Sequence, residues 1–140
     1  MFKSNIFVKQ TESAGKNLPV DFHGRVRLAH GTYVATGEET AGSVIGLVRL
    51  PVGARVLPTS VLHFESGQDA DLTCKVGDAE NDARYLAATA PGSSAATKEL
   101  AANALNDYTL KAEQEIILTT AGETLAAGKK IVFDIFYVVD

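Results

Sequence analysis

The sequence predicts an all-β fold, an antiparallel β-sandwich or jelly roll with an extended N-terminal arm and at most one short helix. Three observations predict it. Apolar residues alternate at a period of two through several short segments, as half-buried strands require. Glycine and proline punctuate those segments. The regular alternation of strand and helix that builds a parallel sheet is missing. A chain of 140 residues with 46% apolar and 21% charged side chains has room for one hydrophobic core, which excludes a multidomain enzyme. The expected division is an arm and linker over residues 1–20 and a β-sandwich domain over residues 21–140.

The arm is read from Phe2, Ile6, Phe7 and Val8, apolar side chains followed by a polar stretch from Thr11 to Asn17 that contains Gly15. A free monomer would expose these side chains for no benefit, so the arm is expected either to pack on a neighbouring subunit or to pair within its own sheet. From Phe22 the pattern alternates. Phe22, Val26 and Leu28 are expected to face inward, with His23, Arg25 and Arg27 as a cationic outer row.

Val44 to Leu50 reads as a strand closed by Pro51-Val52-Gly53-Ala54, where proline fixes φ and glycine permits the turn. Ala54 to Leu57 resumes the extended pattern until Pro58. Val61 to Phe64 is β-branched and aromatic, and Ser66-Gly67-Gln68-Asp69 predicts a hairpin to the following strand. In that strand Leu72, Cys74 and Val76 face in, while Asp71, Thr73 and Lys75 face out. Cys74 is then a small core residue, and as the single cysteine it forms no internal disulfide.

Gly77 to Asp82 reads as a polar loop, and the stretch beyond Tyr85 is alanine-rich and broken by Pro91-Gly92-Ser93-Ser94. Thr97 to Leu105 has the propensity for one or two helical turns but no helical period of large apolar residues. Tyr108, Leu110 and Ala112 alternate with Thr109, Lys111 and Glu113, and Ile116 to Thr120 extends towards an Ala121-Gly122 turn, which predicts a further strand pair. Ile131 to Val139 is apolar on both faces, the mark of a strand covered on both sides. Seven or eight short strands result, and two half-apolar sheets must bury their faces against each other.

Groups that carry chemistry are sparse. Thirteen basic against seventeen acidic side chains give a net charge of −4, which opposes a protein whose main task is gripping nucleic-acid phosphates. No apolar run approaches the length that spans a bilayer, and nothing near Met1 resembles a secretory signal, so the chain is expected in the cytoplasm until cell lysis. His23, His30 and His63 are too scattered for a recognisable metal or triad spacing. Gly42-Ser43-Val44-Ile45-Gly46 has its serine displaced from the centre of a nucleophile elbow, and no phosphate-binding glycine loop occurs. Asp78-Ala79-Glu80-Asn81-Asp82 alternates oxygen ligands like the opening of a calcium loop, but lacks the glycine and the distal glutamate, so a solvated acidic turn is the expectation. Catalytic residues, cofactor and metal are all expected to be absent.

Three segments carry a resemblance: Val44 to Leu57 (VIGLVRLPVGARVL), Lys75 to Leu86 (KVGDAENDARYL) and Glu115 to Asp140 (EIILTTAGETLAAGKKIVFDIFYVVD). Together, over roughly Gly24 to Asp140, they resemble a family of small virion structural proteins of tailed bacteriophages, of the head decoration or capsid cement type. The resemblance implies a β-rich, commonly homotrimeric subunit that binds the major capsid protein on the outside of the capsid and stabilises it, after assembly in the host cytoplasm. It further implies that Phe2, Ile6, Phe7 and Val8 of the arm and His23, Arg25 and Arg27 of the cationic row bind a partner, either the capsid or a sister subunit. A tail, neck or fibre component is the alternative place in the virion. A carbohydrate-binding jelly roll is a further alternative, disfavoured because the chain has no tryptophan and its tyrosines and phenylalanines fall mostly on core positions.

Overall fold

A computed structural model describes residues 25–101 and 108–139, and within them the chain forms nine strands. These are β1 (Arg27–Val34), β2 (Val44–Leu50), β3 (Ala54–Val56), β4 (Val61–Phe64), β5 (Thr73–Gly77), β6 (Leu86–Thr89), β7 (Ala96–Glu99), β8 (Gln114–Ala121) and β9 (Lys130–Val139). They build two antiparallel sheets. The first has the order β1-β9-β4-β7, with β3 also on β9, and the second has the order β2-β8-β5-β6.

The pairing follows one rule. β1 pairs with β9, β2 with β8, β4 with β7 and β5 with β6, so the chain runs as a single long antiparallel hairpin whose tip lies between β5 and β6. That hairpin is rolled until β9 also meets β4 and β8 also meets β5. Two four-membered orders nested in this way are the topology of a jelly roll. Rolling buries one face of each sheet against the other. Ile131, Phe133, Ile135, Leu62 and Phe64 from the first sheet, with Ile45, Ile116, Leu118, Cys74 and Val76 from the second, form the core. Each such side chain removed from water contributes about 1.5–3 kcal/mol before the entropy of ordering is counted.

Several expectations are corrected. The Ser66–Asp69 stretch is not a hairpin, because β4 and β5 lie in different sheets and the stretch crosses between them. Thr97 to Glu99 is strand, not helix: β7 pairs with β4 from Glu99 opposite Val61 to Ala96 opposite Phe64, and that pairing overrides the helix propensity of its residues. The remainder of the expected helix includes residues 102–105, which lie outside the described residues. Tyr108 to Glu113 is not a strand, and the second sheet instead takes β6, which the alanine-rich pattern concealed. The two expected segments on either side of Pro58 are β3 and β4, both on the same side of β9, and with β6 and β7 the described strands number nine where seven or eight were expected.

β9 is the central strand of its sheet. Ile131, Phe133 and Ile135 are buried on one face, while Val132 and Phe136 on the other are half-buried. Room for this strand is made by glycine: a Cβ on Gly31 of β1 would stand 2.4 Å from Cζ of Phe133, its register partner.

Candidate functional site

The side chains that look most like chemistry are used internally. Asp78 is buried, at 1% exposure, which corrects the expectation of a solvated turn. Its Oδ1 accepts the N–H groups of Glu80 and Asn81, each at 3.0 Å, and its Oδ2 accepts Nε of Arg84 at 2.7 Å. The Arg84 guanidinium in turn lies 3.6 Å from the ring centroid of Tyr108, whose hydroxyl donates to Glu80 at 3.0 Å. The loop between β5 and β6 is thus locked by a carboxylate, a guanidinium and an aromatic ring, with Lys75 and Asp82 paired at 2.6 Å on its rim. Gly77 allows the lock, because a Cβ there would meet the backbone of Asn81 and Asp82.

Glu39 does similar work in the loop between β1 and β2. It accepts the N–H of Thr36 and Gly37 and the hydroxyls of Thr36 and Tyr33. Burial pushes its carboxyl up, but the hydrogen bonds from Tyr33 and Thr36 outweigh burial and hold it down at about 2. The same contact raises the Tyr33 hydroxyl to about 12. Burial alone pushes the Cys74 thiol up to about 12.

Two of the scattered histidines are brought together by the sheet. His30 on β1 faces Asp134 on β9, with Nδ1 2.5 Å from Oδ1, and His63 on β4 places Nε2 3.8 Å from the other carboxylate oxygen. They form a polar row on the outer face of the first sheet, completed by Thr97, whose hydroxyl is 2.9 Å from His63 Nδ1. Among the described residues, no three His, Cys, Asp or Glu side chains stand together in a group able to hold a metal ion. An open notch lies at the β2 bulge, lined by Gly46, Leu47, Val48, Arg49 and Glu115, with Arg49 bound to Glu115 at 2.6 Å.

The surface itself carries the clearer signal. Five large apolar side chains are exposed among the described residues: Val26, Leu28, Val34, Val44 and Val52. All five lie on β1, on β2 or beside them, between positions 26 and 52. This inverts the expected facing of the first strand. Ala29 and Tyr33 pack against the core, so Leu28 stands on the outer face with His30 and is 54% exposed, and Val26 is 57% exposed. Arg25 and Arg27 are exposed, and neither makes an ion pair with a described residue. The other expected partner-binding residues, Phe2, Ile6, Phe7, Val8 and His23, lie outside the described residues.

The fold has counterparts. The chain is similar to a chain in the capsid of Ralstonia phage GP4, at TM-score 0.67 and 21% identity over 84% of this chain and 86% of that one. It is also similar to a chain in the capsid asymmetric unit of cyanophage Pam1, at TM-score 0.60 and 21% identity over the same shares. At such identity the likeness is one of fold. No family model and no curated protein matches the sequence.

Proposed function

We propose that this chain is a structural component of a bacteriophage virion, a head decoration protein that binds the outside of the capsid and stabilises it. The observation that carries the proposal is the conjunction of two facts. The jelly roll is shared with chains of two phage capsids, and among the described residues the large exposed apolar side chains lie on or beside β1 and β2. A subunit with its loops locked internally by Asp78, Arg84 and Glu39 offers a rigid body for repeated contacts, and many weak contacts add across a shell. In this reading the protein is a homotrimer on the major capsid protein. Phe2, Ile6, Phe7, Val8, His23, Arg25 and Arg27 make the contacts with the shell or with a sister subunit, and no catalysis is involved.

The test is co-sedimentation of the purified full chain with empty expanded capsids and with unexpanded precursors. The reading expects saturable binding to the expanded shell alone, by a species whose mass in light scattering is a trimer. A chain that binds neither shell overturns the decoration role.

A further inference from the structure

We infer that the flank formed by β1 and β2 docks against the same flank of a second copy of this chain, antiparallel about a two-fold axis. The inference rests on the virion reading only in that a shell brings many copies close together.

Three observations carry it. The first is the apolar content already described: Val26 and Leu28 at one end of the flank, Val34 and Val44 at the other.

The second is a sheet edge that no described strand covers. β1 pairs with β9 through eight residues without a register shift, and no described residue pairs with its other side. The other described edges are shorter or interrupted, β3 having only three residues. β2 is broken by a bulge between Gly46 and Val48, and β6 and β7 have four residues each. A long regular edge with exposed apolar side chains is a template for another strand.

The third observation is charge, and it selects the occupant and the orientation. Arg25 and Arg27 lie at the start of β1, where β9 ends. The acidic groups lie at the opposite end. Glu38 and Glu39 are in the loop after β1, and Glu123 is in the turn between β8 and β9, which is fastened to that loop by Gly128 N–H to Ala35 O and Leu125 N–H to Glu39 O. Neither Glu38 nor Glu123 makes an ion pair with a described residue, and two cations lie beside them, Lys130 opposite Val34 and Lys129, whose carbonyl accepts the Ala35 N–H, against the three carboxylates of Glu38, Glu39 and Glu123. The flank is therefore cationic at one end and acidic at the other, with apolar side chains at both. A parallel arrangement sets arginine against arginine. An antiparallel two-fold arrangement sets Arg25 and Arg27 against Glu38 and Glu123 of the other copy, twice over, which is the self-complementarity an isologous interface requires.

The test is sedimentation velocity on the full chain across concentration and salt. The expected result is a reversible doubling of mass that weakens with added salt, and a loss of affinity of about tenfold or more for Arg27→Glu, Glu38→Arg and Leu28→Asp alike. Mixing Arg27→Glu with Glu38→Arg restores the doubled species, because each mixed pair regains opposite charges at both contacts. These residues are exposed, so unchanged thermal unfolding of the variants confirms that folding is intact. A wild-type chain with no doubling step, or single variants and a mixture that all associate as the wild type does, overturns the inference. So does loss of capsid binding in Arg27→Glu with self-association unchanged, which assigns the flank to the shell. The mass that doubles, trimer or monomer, reports separately on the trimer reading.

Discussion

Ser60 replaces a missing rung of backbone ladder beside Phe136. Its Oγ donates to the Phe136 carbonyl at 3.1 Å and accepts the Phe136 N–H at 2.9 Å. The chain leaves β9 between β3 and β4, where Pro58 and Thr59 turn outward, and the Phe136 N–H would otherwise have no acceptor there. Leu57 N–H also reaches the Phe136 carbonyl, at 2.8 Å, and Ser60 itself is fully buried. One hydroxyl thereby joins β3 and β4 into a continuous partner for the central strand.

Ser60→Ala is expected to destabilise the fold by about 1–3 kcal/mol, because the Phe136 N–H stays buried with no acceptor. Urea unfolding measures it. A midpoint equal to that of the wild type would show that another group satisfies that N–H.

Acid sensitivity follows from Glu39. Its folded-state value of about 2 lies below the ordinary 4.5, so the stability it contributes is complete above 4.5 and is lost as pH falls from there towards 2. Glu39→Gln is expected to be less stable than wild type at neutral pH and to lose less stability across that window. Thermal unfolding of both chains against pH decides it, and parallel curves would contradict the assignment.

Asp78→Ala leaves the Arg84 guanidinium, 14% exposed, with only the more distant Glu80 carboxylate at 3.5 Å, and the Glu80 and Asn81 amides without their acceptor. A loss of about 3–5 kcal/mol is expected. Urea unfolding again gives the number, and a loss near zero would mean that the loop is not locked through this pair.

Cys74 is expected to be inert in the native protein, since it is buried and its thiol is held far from ionisation at neutral pH. A thiol reagent should label it at the rate of unfolding and promptly in denaturant. Prompt labelling of the native chain would contradict the core placement.

The strands bounded by proline and glycine were legible. Val44 to Leu50 and Val61 to Phe64 have the expected limits, and Leu72, Cys74 and Val76 are buried as their alternation requires. What was not legible has physical reasons. The facing of the first strand was inverted because assigning faces by burying apolar residues fails where a surface keeps Val26 and Leu28 exposed, and that failure marks the candidate docking flank. β7 was hidden because Thr97, Lys98 and Glu99 suit either state locally, and only pairing with β4 decides between them. His30 and His63 share Asp134 because β9 lies between their strands, a relation no local spacing encodes.

Immunogold electron microscopy of phage particles from cells that produce this chain, with antibody raised against the purified protein, tests the proposed virion role most directly. The account predicts dense label over the outer surface of the head of intact particles. Label confined to the tail or neck, or particles that contain none of the protein, would contradict it.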